Sequence, residues 1–348
     1  MGVIFLVCAL LIALVFAAAW WSVHRVPFFH IKGCCALVTG GSLGIGLETA
    51  KQLVKLGARV VIIAARNEQS LRAGVEALRV EAKVTGTKVE YVVMDVADEV
   101  SVEQAMDKVS KDVTAAGGKC LDLLVCNAGF SIPARFVDIT PAEARRMMDV
   151  NFFGCVNVLR MVLPSMLEQR AGRVVFVSSL AARCPLAGYS VYAASKAAIR
   201  AFAHSMDMEN SCRGVRFQVI SPPDVYTPGF EQENIRKSPE CTALSSFGGD
   251  EPVTALDMAK QIVDSIKHYR FDVSLGVDKQ LLCWMVAGVE PATDVLELLL
   301  QVLLNGWLRL AMAVLSKLHY NIVWRVRKDD EKPNETSTKE SERGKKVM

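Results

Sequence analysis

Tyr192 and Lys196 are four residues apart in the run YAASK, a spacing that places a phenol and an ammonium group on one face of a helix. A free tyrosine has a pKa near ~10 and exchanges its proton slowly at neutral pH. A neighbouring ammonium group favours the phenolate, so we expect Lys196 to lower the pKa of Tyr192. The pair could then supply a proton to a ketone oxygen while a hydride reaches the carbonyl carbon. Because a YxxxK pair arises by chance in many helices, this interpretation needs support from elsewhere in the chain.

Two polar residues earlier in the chain could complete such a site. Ser179 ends an apolar run and could hydrogen-bond a substrate oxygen. Asn151 lies within a predicted helix among apolar neighbours, where it could order a water relay to Lys196. The alternatives are that Ser178 and Ser179 only form a turn and that Asn151 is a satisfied buried amide.

A glycine-rich run, TGGSLGIG at 39–46, lies between the first predicted strand and the first predicted helix. Its glycines would let the backbone approach a pyrophosphate, and the helix would direct its N-terminal amides at the charge. Asn127-Ala128-Gly129 ends the fourth predicted strand, where small residues let the backbone flank a cofactor. The predicted cofactor-binding residues are Gly40, Ser42, Leu43, Gly44, Gly46, Arg66, Asp95, Asn127, Tyr192 and Lys196.

The end of the second predicted strand indicates which dinucleotide binds. An acidic residue there would bond the ribose 2′-hydroxyl and repel a 2′-phosphate, but the sequence reads AARN at 64–67. Arg66 can hold a phosphate through its planar guanidinium group, so we predict NADPH rather than NADH. The alternative is that Arg66 is an ordinary solvated charge. Asp95 ends the third predicted strand, where it can reach the adenine.

Strands and helices alternate between these motifs. Short runs rich in Val, Ile and Leu are typical of strands buried on both faces. The predicted strands are Cys34–Thr39, Ala58–Ala65, Val89–Met94, Leu121–Cys126, Arg173–Ser178, Val215–Ile220 and Asp272–Leu275. The predicted helices are Gly44–Leu56, Glu68–Lys83, Val100–Ala115, Ala142–Gln169, Val191–Cys212 and Thr254–Tyr269. This pattern predicts an α/β fold with a doubly wound parallel sheet in one domain over 33–276.

Composition excludes several other classes of function. The 348 residues carry a net charge of +3 without a basic stripe, which argues against nucleic-acid binding. The ten cysteines are scattered, with no CxxC pair and no Cys/His cluster of zinc-ligand spacing. We therefore expect a reducing compartment, no disulfides and no metal.

The N-terminal residues 1–24 are predicted to be a membrane anchor. The stretch Val3–Trp21 is uncharged and long enough to cross a bilayer as a helix. A cleaved signal peptide is the alternative, but no Lys or Arg precedes the apolar run. Arg25 and Lys32 follow it, and the positive-inside rule then places the rest of the chain in the cytosol.

The C-terminal section 280–324 is apolar with one polar stripe. The stripe recurs every three or four residues, which predicts an amphipathic helix, and comprises Asp294, Glu297, Gln301, Asn305 and Arg309. This helix could lie along the membrane, pair with 281–289 as a shallow hairpin, or pack on the domain or a dimer partner. We leave a homo-oligomer open.

The final residues, 325–348, are charged and lack core-forming side chains, so we expect a disordered tail. Lys345 and Lys346 resemble the di-lysine retrieval signal of endoplasmic reticulum membrane proteins. We therefore expect an endoplasmic reticulum membrane location, with the catalytic domain facing the cytosol.

Together, TGGSLGIG, NAG, Asn151, Ser179 and YAASK resemble the short-chain dehydrogenase/reductase family over roughly 33–276. The resemblance implies a Rossmann-type domain with Tyr192 as the proton donor. It also implies that Lys196 holds the nicotinamide ribose, Ser179 orients the carbonyl and Asn151 completes the proton relay.

Within the family, the run PPDVYTPGF at 222–230 resembles the branch that reduces the long-chain amino ketone 3-oxosphinganine. The polar stretch 228–253 could be a substrate lid. Leu43, Ser70 and Cys126 depart from the usual pattern, and Ser70 leaves Arg66 without a second basic residue. Two alternatives stay open: a membrane-bound reductase of steroid, retinoid or fatty acyl ketones, and an inactive membrane scaffold with the same fold.

Overall fold

The structure is a computed structural model that describes residues 26–247, 251–285 and 294–330, together with the isolated residues 13, 14, 17 and 20. Within these ranges, seven parallel strands form one sheet and two short parallel strands form another. In chain order the strands are β1 (Cys35–Thr39), β2 (Val60–Ala65), β3 (Lys88–Val93), β4 (Leu123–Cys126), β5 (Gly172–Val177), β6 (Val215–Ile220), β7 (Val225–Tyr226), β8 (Val253–Thr254) and β9 (Asp272–Val273). The large sheet has the order β3-β2-β1-β4-β5-β6-β9, and β7 pairs with β8. All seven predicted strands and the parallel sheet are confirmed.

Helices cover both faces of the large sheet. In chain order they are α1 (Gly44–Lys55), α2 (Glu68–Thr85), α3 (Glu99–Ala115), α4 (Pro141–Met148), α5 (Gly154–Gln169), α6 (Ser190–Asn210), α7 (Pro228–Asn234), α8 (Pro239–Ser245), α9 (Ala255–His268), α10 (Val277–Met285) and α11 (Val295–Asp330). Helices α1, α2 and α9 pack on one face, and α3, α5 and α6 pack on the other. Leu37 and Val38 of β1 point into opposite cores, which explains why the strands have continuous apolar runs.

The strand order reverses between β1 and β4. These two strands are neighbours, and the crossovers that follow them lead in opposite directions along the sheet. In such sheets, ligands bind in the crevice beyond the carboxyl ends of the strands at the reversal. The glycine-rich turn after β1 and Asn127-Ala128-Gly129 after β4 both lie there.

The predicted helix over 142–169 is interrupted. A π-helical turn, Asp149–Phe153, separates α4 from α5 and contains Asn151. The whole segment Pro141–Gln169 is the one described segment that is long and apolar enough to span a membrane. It nevertheless contributes Val158 and Leu159 to the buried core against the sheet, so packing within the domain accounts for its apolar character.

The expected lid region has more secondary structure than the sequence pattern indicated. It contains α7 and α8, each beginning with a proline after a hydroxyl-bearing cap residue. The Thr227 side chain accepts a bond from the Phe230 amide at 3.1 Å, and Ser238 accepts one from the Cys241 amide at 3.4 Å. These caps fix where two short helices start.

Helix α11 continues past residue 325, where we expected the tail to begin, to Asp330. Glu297 of its polar stripe is half-buried, whereas Leu303 and Trp307 are 71% and 75% exposed. The helix therefore packs on the domain along one side, where Leu299 is buried, and leaves other apolar side chains facing outward. The predicted anchor over 1–24, apart from the isolated residues, and the pair Lys345-Lys346 lie outside the described residues.

Candidate active site

The glycine-rich turn closes tightly over the carboxyl ends of β1 and β4. Gly40 adopts a φ of +62°, and a Cβ there would lie 2.9 Å from the Ala128 Cα. A Cβ on Gly46 would overlap the Gly40 carbonyl oxygen, so Gly46 serves close packing rather than lining the site. The Asn127 amide donates to the Thr39 and Gly40 carbonyl oxygens at 3.1 Å each. This backbone cradle is shaped for close approach by a ligand.

The N-terminus of α1 points into the same crevice. Its cap residue, Leu43, makes no capping bond through its side chain, and the first turn contains no acidic residue. The first amides of the helix are therefore available to an anion, and the helix dipole favours negative charge there. Ser42, Leu43 and Gly44 line the cavity as predicted, and this arrangement fits the pyrophosphate of a nicotinamide dinucleotide.

At the adenosine end, Arg66 is exposed and lines the cavity, with no hydrogen bond or ion pair to any described residue. Asp95 also lines the cavity, but its carboxylate accepts bonds from Arg146 at 2.9 Å and from the Ala97 amide at 3.1 Å. Burial would raise the pKa of Asp95, yet these bonds lower it overall. The Asp95 carboxylate is therefore negatively charged and held in a fixed position beside the predicted adenine site.

Tyr192, Ser179 and Lys196 line one cavity, as the sequence predicts. The Lys196 Nζ lies 6.0 Å from the centre of the Tyr192 ring and donates to the Val177 carbonyl oxygen at 2.9 Å. Ser179, two residues after β5, lies close enough to Tyr192 for its hydroxyl to lower the pKa of the phenol. A phenol and a hydroxyl therefore converge where a substrate oxygen could bind both.

The expected direction of the Tyr192 pKa shift is wrong for the protein alone. Burial raises the pKa of Tyr192, and the negative charges of Glu233 and Asp224 raise it further, against a lowering by the Ser179 hydrogen bond. Lys196 is also buried, and this burial lowers the pKa of its amine because the charged form is disfavoured away from water. A raised pKa makes the phenol a weaker acid, so the protein alone does not supply the activation that the sequence led us to expect.

Asn151 is fully buried, and its side chain is saturated with hydrogen bonds. Its Oδ1 accepts from the Phe130 amide at 2.9 Å, and its Nδ2 donates to the Phe130 carbonyl oxygen at 3.0 Å and to Ser195 Oγ at 2.9 Å. Ser195 in turn donates to the Tyr192 carbonyl oxygen at 2.7 Å. These contacts match the satisfied-amide alternative: Asn151 links the loop after β4 to the start of α6. The relay through Asn151 stays a prediction.

Sequence reasoning missed the other end of the cavity, which extends to about 1340 Å³ in total. Beyond Tyr192, its walls combine charged side chains with aromatic and aliphatic ones. They include Tyr189, Asp224, Glu233, Leu244, Phe247, Leu282, Leu315 and His319. The last two belong to α11, and the His319 ring packs edge-on against Phe247 at 5.6 Å. The run at 222–230 marked this region, but nothing in the sequence placed α11 over it.

Comparison with known proteins agrees with this geometry. The short chain dehydrogenase family model matches residues 34–238. The chain is 35% identical over 281 residues to a 3-ketodihydrosphingosine reductase of Bos taurus, covering 80% of this chain and 82% of that one. It is 33% identical over 325 residues to a 3-dehydrosphinganine reductase of Arabidopsis thaliana, covering 92% of each. Levodione reductase shares the fold, with a TM-score of 0.64 over 72% of this chain and 98% of that one at 24% identity.

These findings make the chain an oxidoreductase that uses a nicotinamide cofactor, NAD or NADP. The protein belongs to the short-chain dehydrogenase/reductase family.

Proposed function

We propose that the protein is an NADPH-dependent reductase that converts 3-oxosphinganine to sphinganine. The observation that carries this proposal is one cavity in which Tyr192, Ser179 and Lys196 stand between a dinucleotide cradle and a largely apolar pocket. Its volume exceeds the roughly 300–1,000 Å³ of a usual small-molecule site, which suits a dinucleotide beside a lipid substrate. Relatives named for this activity match most of the chain.

Ser179, Tyr192 and Lys196 have distinct roles in ketone reduction. The nicotinamide, when bound, supplies the hydride. The hydroxyl groups of Ser179 and Tyr192 hold the ketone oxygen between them, and Tyr192 gives that oxygen its proton. Lys196, held in place by the Val177 carbonyl oxygen, is positioned to bind the nicotinamide ribose and to stabilise the phenolate left behind.

The preference for NADPH rests on Arg66. No acidic side chain ends β2, and among the described residues Arg66 makes no hydrogen bond or ion pair that would have to break before it bound a phosphate. Ser70 lies in the first turn of α2, where its hydroxyl donates to the Asn67 carbonyl oxygen at 2.9 Å. Arg66 would therefore carry the discrimination against NADH.

We further propose that the protein resides in the endoplasmic reticulum membrane with its catalytic domain facing the cytosol. The uncharged N-terminal stretch, the basic residues that follow it and the Lys345-Lys346 pair support this location. The outward apolar side chains of α11 also support contact with lipid, because they continue from the wall of the substrate cavity.

Turnover of defined ketones tests the proposed function. The full-length protein in membranes should oxidise NADPH when given 3-oxosphinganine and form sphinganine. Brisk reduction of a steroid or retinoid ketone without 3-oxosphinganine turnover would contradict the proposal in favour of a different lipid reductase. No turnover of any ketone, with intact nucleotide binding, would indicate the inactive scaffold instead.

A further inference from the structure

Two carboxylates on the substrate side of the cavity have no part in proton donation. Asp224 follows the two prolines after β6, and Glu233 lies on α7. Both line the cavity beyond Tyr192, opposite the dinucleotide cradle. An acid in an otherwise largely apolar lipid pocket is costly without a cationic partner, so the pair calls for an explanation.

The contacts of the two carboxylates leave room for a ligand. The Tyr189 hydroxyl donates to Glu233 Oε1, which fixes that side chain, and Oε2 has no hydrogen bond to a described residue. Asp224 is exposed to the cavity, and its carboxylate makes no hydrogen bond or ion pair within the described part of the chain. Several acceptor positions therefore face the space beside Tyr192.

The positive charge of Lys237 lowers the pKa of both Asp224 and Glu233, but one cation does not neutralise two carboxylates. Its Nζ lies over the Phe230 ring at 4.8 Å and the Tyr189 ring at 5.9 Å, and it makes no direct ion pair with either carboxylate. With both acids ionised, the group of three carries one net negative charge, and the Asp278–Lys279 ion pair, which also lines the cavity, adds none. Desolvation by the walls of the cavity raises the pKa of Asp224 and of Glu233, and the charge of Lys237 lowers the pKa of each by less.

The position of this charge relative to Tyr192 identifies its partner. Both carboxylates line the cavity together with Tyr192, and Glu233 accepts a bond from Tyr189, whose ring centre lies 5.7 Å from that of Tyr192. They therefore lie near the place where the ketone oxygen binds, and their negative charges raise the pKa of Tyr192. In 3-oxosphinganine the carbon next to the ketone bears a primary amine. A substrate whose oxygen bonds Tyr192 would thus bring a cation beside the two acids.

We propose that Asp224 and Glu233 bind the protonated amine of the substrate and select amino ketones over neutral ketones. This inference rests on the proposed function. Each carboxylate accepts a charge-assisted hydrogen bond from the ammonium, and the net charge of the site falls to zero. The same bonds fix the carbonyl against Tyr192 and Ser179, because amine and ketone are on adjacent carbons. Steroid and retinoid ketones lack the cation and would leave the two charges uncompensated.

Comparison of two substrates tests the inference. The purified full-length protein is assayed with 3-oxosphinganine and with 1-hydroxyoctadecan-3-one, which lacks only the amine. Asp224→Asn and Glu233→Gln keep the size of each side chain, and Glu231→Gln on the exposed side of α7 is the matched control. Each cavity variant should lower kcat/KM for the amino ketone by roughly 10- to 100-fold, mainly through KM. The neutral ketone should change by less than about threefold, and Glu231→Gln should leave both unchanged.

The neutral ketone also reports any general effect on Tyr192. Removing a negative charge alters the Tyr192 pKa for both substrates, so the ratio of the two kcat/KM values isolates recognition of the amine. An equal loss with both ketones, or no loss with either, would overturn the inference while leaving the proposed function intact. If the wild-type protein reduced the neutral ketone alone, the proposed function and this inference would both be wrong.

Inhibition supplies a second measurement that does not require turnover by the variants. Dodecylamine should displace a fluorescent long-chain probe from the wild-type protein more effectively than dodecanol does. That preference should fall at least about tenfold in Asp224→Asn or Glu233→Gln. Equal displacement by the amine and the alcohol in the wild-type protein would contradict an ammonium site.

Discussion

An ion pair between Arg135 and Glu240 joins α8 to the loop after β4. Its contribution to the free energy of unfolding can be measured from the pH dependence of stability. The Arg135 guanidinium donates to both Glu240 oxygens, at 2.7 and 2.9 Å, while the Glu240 side chain is 1% exposed. These bonds lower the pKa of Glu240 from 4.5 to about 2. A shift of that size corresponds to about 3 kcal/mol of stability. Because the Arg135 side chain is 29% exposed, solvent screening reduces our expectation to about 2 kcal/mol.

The expected pH dependence has a definite sign. The folded pKa is depressed, so the pair stabilises the protein fully above the ordinary pKa of Glu240 and loses that effect as pH falls toward 2. Glu240→Gln should therefore destabilise the protein by about 2 kcal/mol at pH 7. The difference from wild type should narrow by roughly half at pH 3.

Urea unfolding of the full-length protein in mild detergent measures the difference, with hydrogen exchange in α8 as a local readout. Glu76→Gln is the matched control, because its partner Arg79 and Glu76 itself are 58% and 65% exposed. That control should change stability by less than about 0.5 kcal/mol. A difference for Glu240→Gln that is the same at pH 7 and pH 3, or no larger than that of the control, would refute the reasoning.

Three further substitutions test the site. Tyr192→Phe should lower ketone reduction by roughly 10²- to 10⁴-fold while the nucleotide dissociation constant stays within about twofold; near-normal turnover would contradict its role as donor. Arg66→Ala should raise the KM for NADPH roughly 10- to 100-fold and leave that for NADH nearly unchanged, and equal effects on both would exclude the proposed discrimination. Gly46→Ala should abolish nucleotide binding because its Cβ overlaps the turn, whereas Gly306→Ala, in open space on α11, should retain binding and raise helix stability by up to about 1 kcal/mol. Fluorescence titration with NADPH and thermal unfolding distinguish the two glycine variants, and equal behaviour would contradict the packing argument.

The sheet was predictable because its strands are buried on both faces. Such strands leave uninterrupted apolar runs in the sequence, as Val60–Ala65 does, and burial of every residue but the last of that strand explains the run. The glycine turn was predictable for a related reason. The backbone approaches so closely at Gly40 and Gly46 that neither position has room for a Cβ atom. Only glycine fits there, so the sequence itself marks the turn.

The two helices in the expected lid region could not be predicted from periodicity. Helices α7 and α8 are each two turns long, too short to show a repeating apolar pattern. The signals that were present are local: a hydroxyl residue followed by proline, as at Thr227 and Ser238. Those pairs predict helix starts, and reading them would have found both.

The pKa of Tyr192 could not be inferred from the residues that are near it in the sequence. The spacing to Lys196 was visible, but the charges that act on the phenol come from Asp224 and Glu233, which follow later in the chain. Burial is the largest contribution, and burial depends on packing from several elements at once. The sequence thus singled out residues that the fold brings into one cavity, whereas the electrostatics required the assembled fold.

Helix α11 has a consequence for how substrate range can change. Its residues Leu315 and His319 wall the cavity, yet the helix lies outside the family match at 34–238. Part of the wall of the proposed lipid pocket is thus encoded outside the stretch that contains Tyr192, Ser179 and Lys196. Substitutions in this helix can therefore alter the shape of the pocket without changing the proton donor.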